Sequence, residues 1–317
     1  MDEQKTIEEH KEVKKDEQER VHEKKSFGGW YDKYYKILLI LPIILILCGV
    51  VYLISFYSAN GDLMYKDSSL AGGTTITINQ ENNIDSNSLE DTLKSEFPDV
   101  RVREINDLTT GKKLALIVDS SVSPEQLRPS IESALNMKLD TTNSNIEFSG
   151  PTLSQNFYKQ LLKALIFSFI LMSIVIFILF RSFIPSAAII LAAVSDLIIP
   201  LVLVNLLGIK LSAAGIAAFL MIIGYGVDTN ILLTTRVLKR REGRVNERIL
   251  SSLKTGLFMT STALLAVLPA FFIVTGLPDS FKQIFLILAL GLLADIPTTW
   301  LTNAGIIKWY AHKRGLD

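Results

Sequence analysis

Hydrophobic and polar positions are arranged on two length scales along this chain. Six long runs are almost wholly apolar: Ile37–Phe56, Leu161–Phe180, Ile184–Leu207, Leu211–Leu233, Gly256–Thr275 and Phe281–Ile307. Each reaches the roughly 20 residues a helix needs to cross a hydrocarbon core, so each predicts a transmembrane helix. The first run is full length and follows a polar lead, Met1–Lys36, which marks a retained signal anchor and not a cleaved leader.

Between the first two runs the pattern shortens. Thr74–Ile78 alternates after Gly72-Gly73 and predicts a strand, and Ser86–Phe97 has a serine cap and apolar positions at helical spacing. Val100–Ile105 is a second strand, and Leu108–Lys112 turns it into Leu114–Val118 as a hairpin. Ser123-Pro124-Glu125 opens a helix to Leu135, with Pro124 near the first helical position, and Ile146–Phe148 supplies the last strand. The order β-α-β-β-α-β predicts a ferredoxin-like α+β domain. The fold class is therefore a polytopic α-helical membrane protein with six transmembrane helices and one such domain outside the bilayer.

Lysine and arginine set the direction. The loop 235–253 carries Arg236, Lys239, Arg240, Arg241, Arg244 and Arg248; Arg181 joins spans two and three. Lys313 and Arg314 follow the last span, and Lys24, Lys25, Lys33 and Lys36 precede the first. With six spans, all of these fall on one side, which the positive-inside rule makes cytoplasmic. The layout is a cytoplasmic tail 1–35, a first span 36–57, an extracytoplasmic domain 58–157, a five-helix bundle 158–308 and a cytoplasmic tail 309–317. The basic loop is expected to meet anionic lipid headgroups. Its apolar positions Val237, Leu238, Val245, Ile249 and Leu250 also fit an interfacial helix that docks on a partner. Asp2–Lys25 mixes acids and bases with almost no large apolar side chains and is expected to be a solvated helix or a disordered tail.

Composition agrees with a membrane class: 49% of the 317 residues are hydrophobic and the mean hydropathy is +0.34. Charge balances at 32 against 32, which offers no field for nucleic acid. Cys48 is the sole cysteine, so neither a disulfide framework nor a cysteine metal site is available. His10, His22 and His312 lie in polar terminal segments and form no metal pattern. The external domain has no paired carboxylates, no Ser/His/Asp arrangement and no phosphate loop, and a Walker A sequence is absent throughout. No enzyme activity, cofactor or metal is expected.

The chemistry lies in the spans. Asp196, Asp228 and Asp295 fall within the third, fourth and sixth. Each costs at least about 2.5–3.5 kcal/mol near a helix centre, and no lysine or arginine sits at comparable depth to offset it. Held neutral or wetted in an internal cavity, such a group suits the uptake and release of a proton or ion. A rise of about 1.5 Å per residue puts Asp196 near the midplane and Asp228 in the cytoplasmic third. Thr260, Ser261 and Thr262 come level with Asp228, where their hydroxyls are placed to bond a carboxyl or relay a proton. Asp295 lies somewhat deeper, two residues before Pro297. Gly224, Tyr225 and Gly226 form a small-residue segment for close helix packing, and Asn230 faces away from Asp228 on a regular helix. The alternative is that the acids only glue helices together.

The run Gly224-Tyr225-Gly226-Val227-Asp228-Thr229-Asn230-Ile231 followed by Arg236 resembles the fourth-span motif of the SecD/SecF protein-export family, part of the resistance-nodulation-division superfamily. Gly72-Gly73, Gly150-Pro151 and Val194–Ile199 with Asp196 resemble further family features, and Asp295–Gly305 resembles the archaeal SecF branch. Six spans with one modest external domain suit the SecF type over the longer SecD type. Val227-Asp228-Thr229-Asn230 is nonetheless closer to the SecD form of the motif than to the bacterial SecF form. The resemblance covers the chain from Ile37 onward. It implies an accessory subunit of the Sec translocase in the cytoplasmic membrane, partnered with SecD beside the SecY/SecE channel. It implies contact with exported polypeptides and use of the proton motive force through the intramembrane aspartates. Two other readings stay open: a half-transporter for small molecules or lipids, and a passive scaffold of the translocon.

Overall fold

The computed structural model describes residues 34–35, 37–79, 85–106, 112–240, 243–273 and 279–316. The N-terminal tail and most of the Leu108–Lys112 turn lie outside the described residues.

Among the described residues, six helices are long and apolar enough to cross a membrane, as expected. They are α1 (Ile37–Asn60), α5 (Pro151–Phe180), α6 (Phe183–Leu206), α7 (Ala213–Lys239), α8 (Val245–Ile273) and a segmented sixth span. The sixth runs as α9 (Asp279–Pro297), a π-helical stretch Thr298–Asn303 and α10 (Ala304–Lys313). A helix satisfies its own backbone groups, which is why apolar runs of this length take no other form in lipid. The outward faces are greasy: Leu41, Leu47, Val51 and Ile54 of α1, Ile166 and Ile178 of α5, and Phe258 and Leu265 of α8 are all exposed. Helices α6, α7 and the sixth span hold the centre and carry most of the buried side chains.

Two boundaries move. Helix α5 begins at Pro151, ahead of its apolar run, so the expected limit of the external domain at 157 falls inside a helix. Helix α8 begins at Val245, so most of the basic segment 235–253 belongs to the ends of α7 and α8. Its apolar positions do not form an interfacial docking helix. Val237, Val245 and Ile249 are buried with Leu233, Trp300, Ala304 and Ile307 in the chain's own core. Arg248 is 7% exposed and donates to the carbonyls of Val237 and Arg240, closing the end of α7.

The external domain has the element order expected: β1 (Gly73–Asn79), α3 (Ser86–Lys94), β2 (Arg101–Asn106), β3 (Lys113–Ser120), α4 (Pro124–Leu135) and β4 (Ser144–Ser149). The four strands form one sheet in the order β2-β3-β1-β4, every neighbouring pair antiparallel. Asp85, not Ser86, caps α3, its carboxylate accepting from the amide of Asn87 at 3.1 Å. Alternation separates the two faces. Ile76, Ile78, Val102, Leu116 and Val118 pack against Leu89 and Leu93 of α3 and Leu127 and Ile131 of α4. Thr75, Thr77, Arg101, Arg103 and Asp119 face the other way, toward the rim of the bundle.

A short helix unmarked in the sequence pattern, α2 (Ser68–Ala71), fastens the domain to that rim. The amide of Asp67 donates to the carbonyl of Leu211 at 2.9 Å, that of Leu211 to Tyr65 at 2.7 Å, and that of Ala213 to the Ser69 hydroxyl at 3.2 Å. Tyr158 donates its hydroxyl to Asp62 at 2.6 Å, and Lys66 pairs with the same carboxylate at 2.7 Å. Gly72 and Gly73 have φ of 89° and 136°, the left-handed side of the map that glycine tolerates. A Cβ on Gly72 would come within 2.6 Å of Pro151, so the chain's entry to and exit from the domain touch at backbone level.

Candidate functional site

Three elements meet at the centre of the bundle. Helix α6 supplies Asp196, 1% exposed, and the sixth span supplies Asp295, 2% exposed. Helix α7 adds Thr229 and Asn230, and the π-helical stretch adds Thr298, Thr299 and Asn303, all buried. Pro297 has no N–H to donate to the preceding turn, and the ladder immediately beyond it runs in the wider π form. That wider turn gathers Thr298, Thr299 and Asn303 on the inward side.

The hydroxyls converge on the acids. Thr298 donates to Asp196 Oδ1; Thr299 donates to Asp295 Oδ1 at 2.6 Å, and Thr229 lies 2.9 Å from both oxygens of Asp295. Thr298 Oγ1 also lies 3.1 Å from the Asp295 backbone carbonyl, so one hydroxyl links both acids' residues. The two carboxylates are within Coulombic reach of each other. Asp196 Oδ2 has no hydrogen-bond partner among the described residues and lies against Gly226, where a Cβ would sit 2.6 Å away. Asn230 donates to the Gly226 carbonyl at 2.7 Å and accepts from Asn303 at 2.7 Å. The hydroxyls of Thr234 and Thr302 and the Asn303 oxygen are buried nearby in sequence on the same elements without a hydrogen-bond partner among the described residues.

Charge arithmetic is unfavourable to two anions here. Two carboxylates share three hydroxyl donors, and burying an unpaired charge is costly. Among the described residues, the fully buried cation is Lys308, its ammonium 4.8 Å from the centre of the Tyr35 ring. It follows Asp295 by about 20 Å of helix at 1.5 Å per residue, too far to pair with either acid. A proton on one carboxyl relieves the repulsion and gives the pair a donor of its own.

Asp228 is elsewhere. It is exposed on the outer face of α7 beside Tyr225, which is 49% exposed, and Gly224, whose added Cβ would meet nothing within 4 Å. Among the described residues it has no hydrogen-bond or ion-pair partner. The expected contact with Thr260, Ser261 and Thr262 is not made. Thr260 is buried, its hydroxyl without a partner among the described residues; Ser261 is exposed, and Thr262 donates to its own helix at Met259. Of the candidate residues, Asp196, Asp295, Asn230 and Gly226 come together; Asp228, Gly224 and Tyr225 form an outward strip. Asn230 does turn away from Asp228, as its helical angle requires. Thr229, Thr298, Thr299 and Asn303 escaped the sequence reading, though Thr298, Thr299 and Asn303 follow Asp295 at spacings of three, four and eight along one apolar span.

Six spans, one small external domain and a carboxylate pair sealed inside the bundle define a multi-pass membrane protein with an intramembrane acid site. The chain belongs to the SecD/SecF family: residues 130–313 match the family described as "Protein export membrane protein SecD/SecF, C-terminal". It is 38% identical to the protein-export membrane protein SecF of Methanocaldococcus jannaschii, over 88% of this chain and 96% of that protein. It is 37% identical to SecF of Methanothermobacter thermautotrophicus, over 89% and 94%. Its fold is similar to the crystal structure of SecDF from Thermus thermophilus, with a TM-score of 0.70 at 19% identity. That match covers 88% of this chain and 38% of the SecDF chain.

Proposed function

We propose that the chain is an accessory subunit of the Sec translocase, promoting protein export across the cytoplasmic membrane together with SecD. We further propose that proton exchange at the Asp196–Asp295 pair links it to the proton motive force. The observation carrying this reading is two buried carboxylates in hydroxyl contact, with no ion pair to a cation among the described residues, at the meeting of three spans. With one proton on the pair, a dry, closely packed bundle is the favoured state. Without it, two like charges favour a packing that admits water or separates the helices. The groups that feel the change are Thr298 and Thr299 on the π-helical stretch and Gly226 and Asn230 on α7. Movement of these elements reaches the extracytoplasmic rim through α7, whose first residue is bonded to Ser69 beneath the external domain.

In this reading SecD covers the outward strip Gly224, Tyr225 and Asp228, since a carboxylate facing lipid at that depth is costly. Lys239, Arg240 and Arg244 are exposed at the other end of the bundle and suit anionic headgroups on the cytoplasmic side. The test is gradient-stimulated export in vesicles containing SecD and the SecY/SecE channel. Asp196→Asn and Asp295→Asn insert and assemble normally but lose the stimulation. Full stimulation in both supports a passive scaffold instead, because an amide still hydrogen-bonds. Gentle purification that yields only copies of this chain, without SecD or channel subunits, supports a half-transporter.

A further inference from the structure

We infer that the free face of the external sheet, with the bundle rim beneath it, is the groove that receives an extended segment of the exported polypeptide. This rests on the export reading above and assigns it a contact surface. A cavity of about 440 Å³ lies between that face and the rim residues Gly208, Ile209, Lys210 and Gln283.

The lining has the repeat of an extended chain. Thr75, Thr77 and Asn79 of β1 and Asn145 and Glu147 of β4 put a polar side chain into the cavity at every second residue, a spacing of about 7 Å. Thr77 and Asn79 spend no side-chain hydrogen bond on the described residues. An apolar spot formed by Ile105, Ala115 and Ile117 lies on the same face, with Leu114 40% exposed at its lip. Hydroxyls and amides for a backbone, beside an apolar seat for a side chain, suit a peptide.

The charges narrow the occupant. Arg103 is tied to Asp119, which also accepts from Thr75 at 2.7 Å. Among the described residues Arg101 and Lys210 form no ion pair. Burial, with Arg101 next and Arg103 adding to it, holds the Lys210 amine below the ordinary lysine value, against the opposing pull of Asp119 and Asp99. The floor therefore has two cations open to an acidic side chain. Asp67, Asp119 and Glu147 line the same space and balance the three cations, which disfavours a phosphate headgroup and fits a polypeptide of mixed charge.

The test is site-specific photocrosslinking of an arrested export intermediate, in membranes holding SecD and the channel. One probe replaces Thr77 on the free face and a control replaces Asp91, exposed on α3 over the opposite face. Thr77 is expected to capture the polypeptide several-fold more than Asp91, and the paired change Arg101→Glu with Lys210→Glu to reduce that capture several-fold. Equal or greater capture at Asp91, a lipid adduct alone at Thr77, or no capture while export stimulation persists each overturns the groove and leaves the export reading standing. No capture together with no stimulation by the wild-type chain overturns the export reading itself.

Discussion

Gly226 and Gly224 sit two residues apart in one motif and have opposite surroundings. A methyl group at 226 would come within 2.6 Å of Asp196 Oδ2, whereas one at 224 meets nothing within 4 Å. Helix propensity alone favours alanine at both by about 1 kcal/mol. Overpacking costs about 1–3 kcal/mol, so Gly226→Ala is expected to lower the thermal stability of the purified protein and Gly224→Ala to leave it unchanged or slightly raised. Equal melting shifts for the two would refute the close approach of α7 to Asp196. The acids themselves were legible in the sequence, because charge in an apolar run stands out. Their facing was not: Asp228 and Thr229 are adjacent, and only the packing of neighbouring helices decides which of them turns inward.

Asp67 gives a second prediction at this scale. Burial pushes its carboxyl up to about 6, with the nearby Asp119 charge adding to the shift against the opposing bonds from Ser69. The fastened state thus holds a proton more tightly than a free aspartate at 3.8. Ionisation weakens the contact above about pH 6, and the contact strengthens as pH falls through that value toward the ordinary one. Protection of the amides of Leu211 and Ala213 against hydrogen exchange, taken relative to the intrinsic rate at each pH, is expected to rise on the acid side of this range. In Asp67→Asn that protection should no longer vary with pH; a protection profile identical to wild type would rule Asp67 out as its source.

At the scale of elements, the succession of strands and helices in the external domain and all six spans followed from period and length, which local sequence carries directly. The starts of α5 and α8 did not, because Gln155, Asn156 and Tyr158, like Asn246 and Glu247, continue a helix beyond the apolar run that advertised it. The π-helical stretch was signalled only by Pro297, and threonines in an apolar span look the same whether they bond their own backbone or a neighbour's carboxylate. Thr299→Val removes a donor at 2.6 Å from Asp295 and keeps the shape. Its expected cost is about 1–3 kcal/mol of stability, the range for a buried group left unsatisfied. Thr262→Val, on an exposed hydroxyl that bonds only its own turn, should cost far less in the same unfolding measurement.

For the whole molecule, the motif Gly224–Ile231 joins in sequence an inward set, Gly226, Thr229 and Asn230, at the acid site and an outward strip, Gly224, Tyr225 and Asp228. Gly224→Trp is expected to leave the isolated chain folded while sharply reducing its co-purification with SecD. Unaltered co-purification would place the SecD contact on another face. The inner pair is tested most directly by proton entry into proteoliposomes holding this chain, SecD and the channel, followed by an internal pH-sensitive dye while export proceeds under an inward proton gradient. Export-linked acidification is expected with the wild-type chain and is expected to vanish in Asp196→Asn and Asp295→Asn. Undiminished proton entry in both variants would show that the sealed carboxylates do not carry the proton.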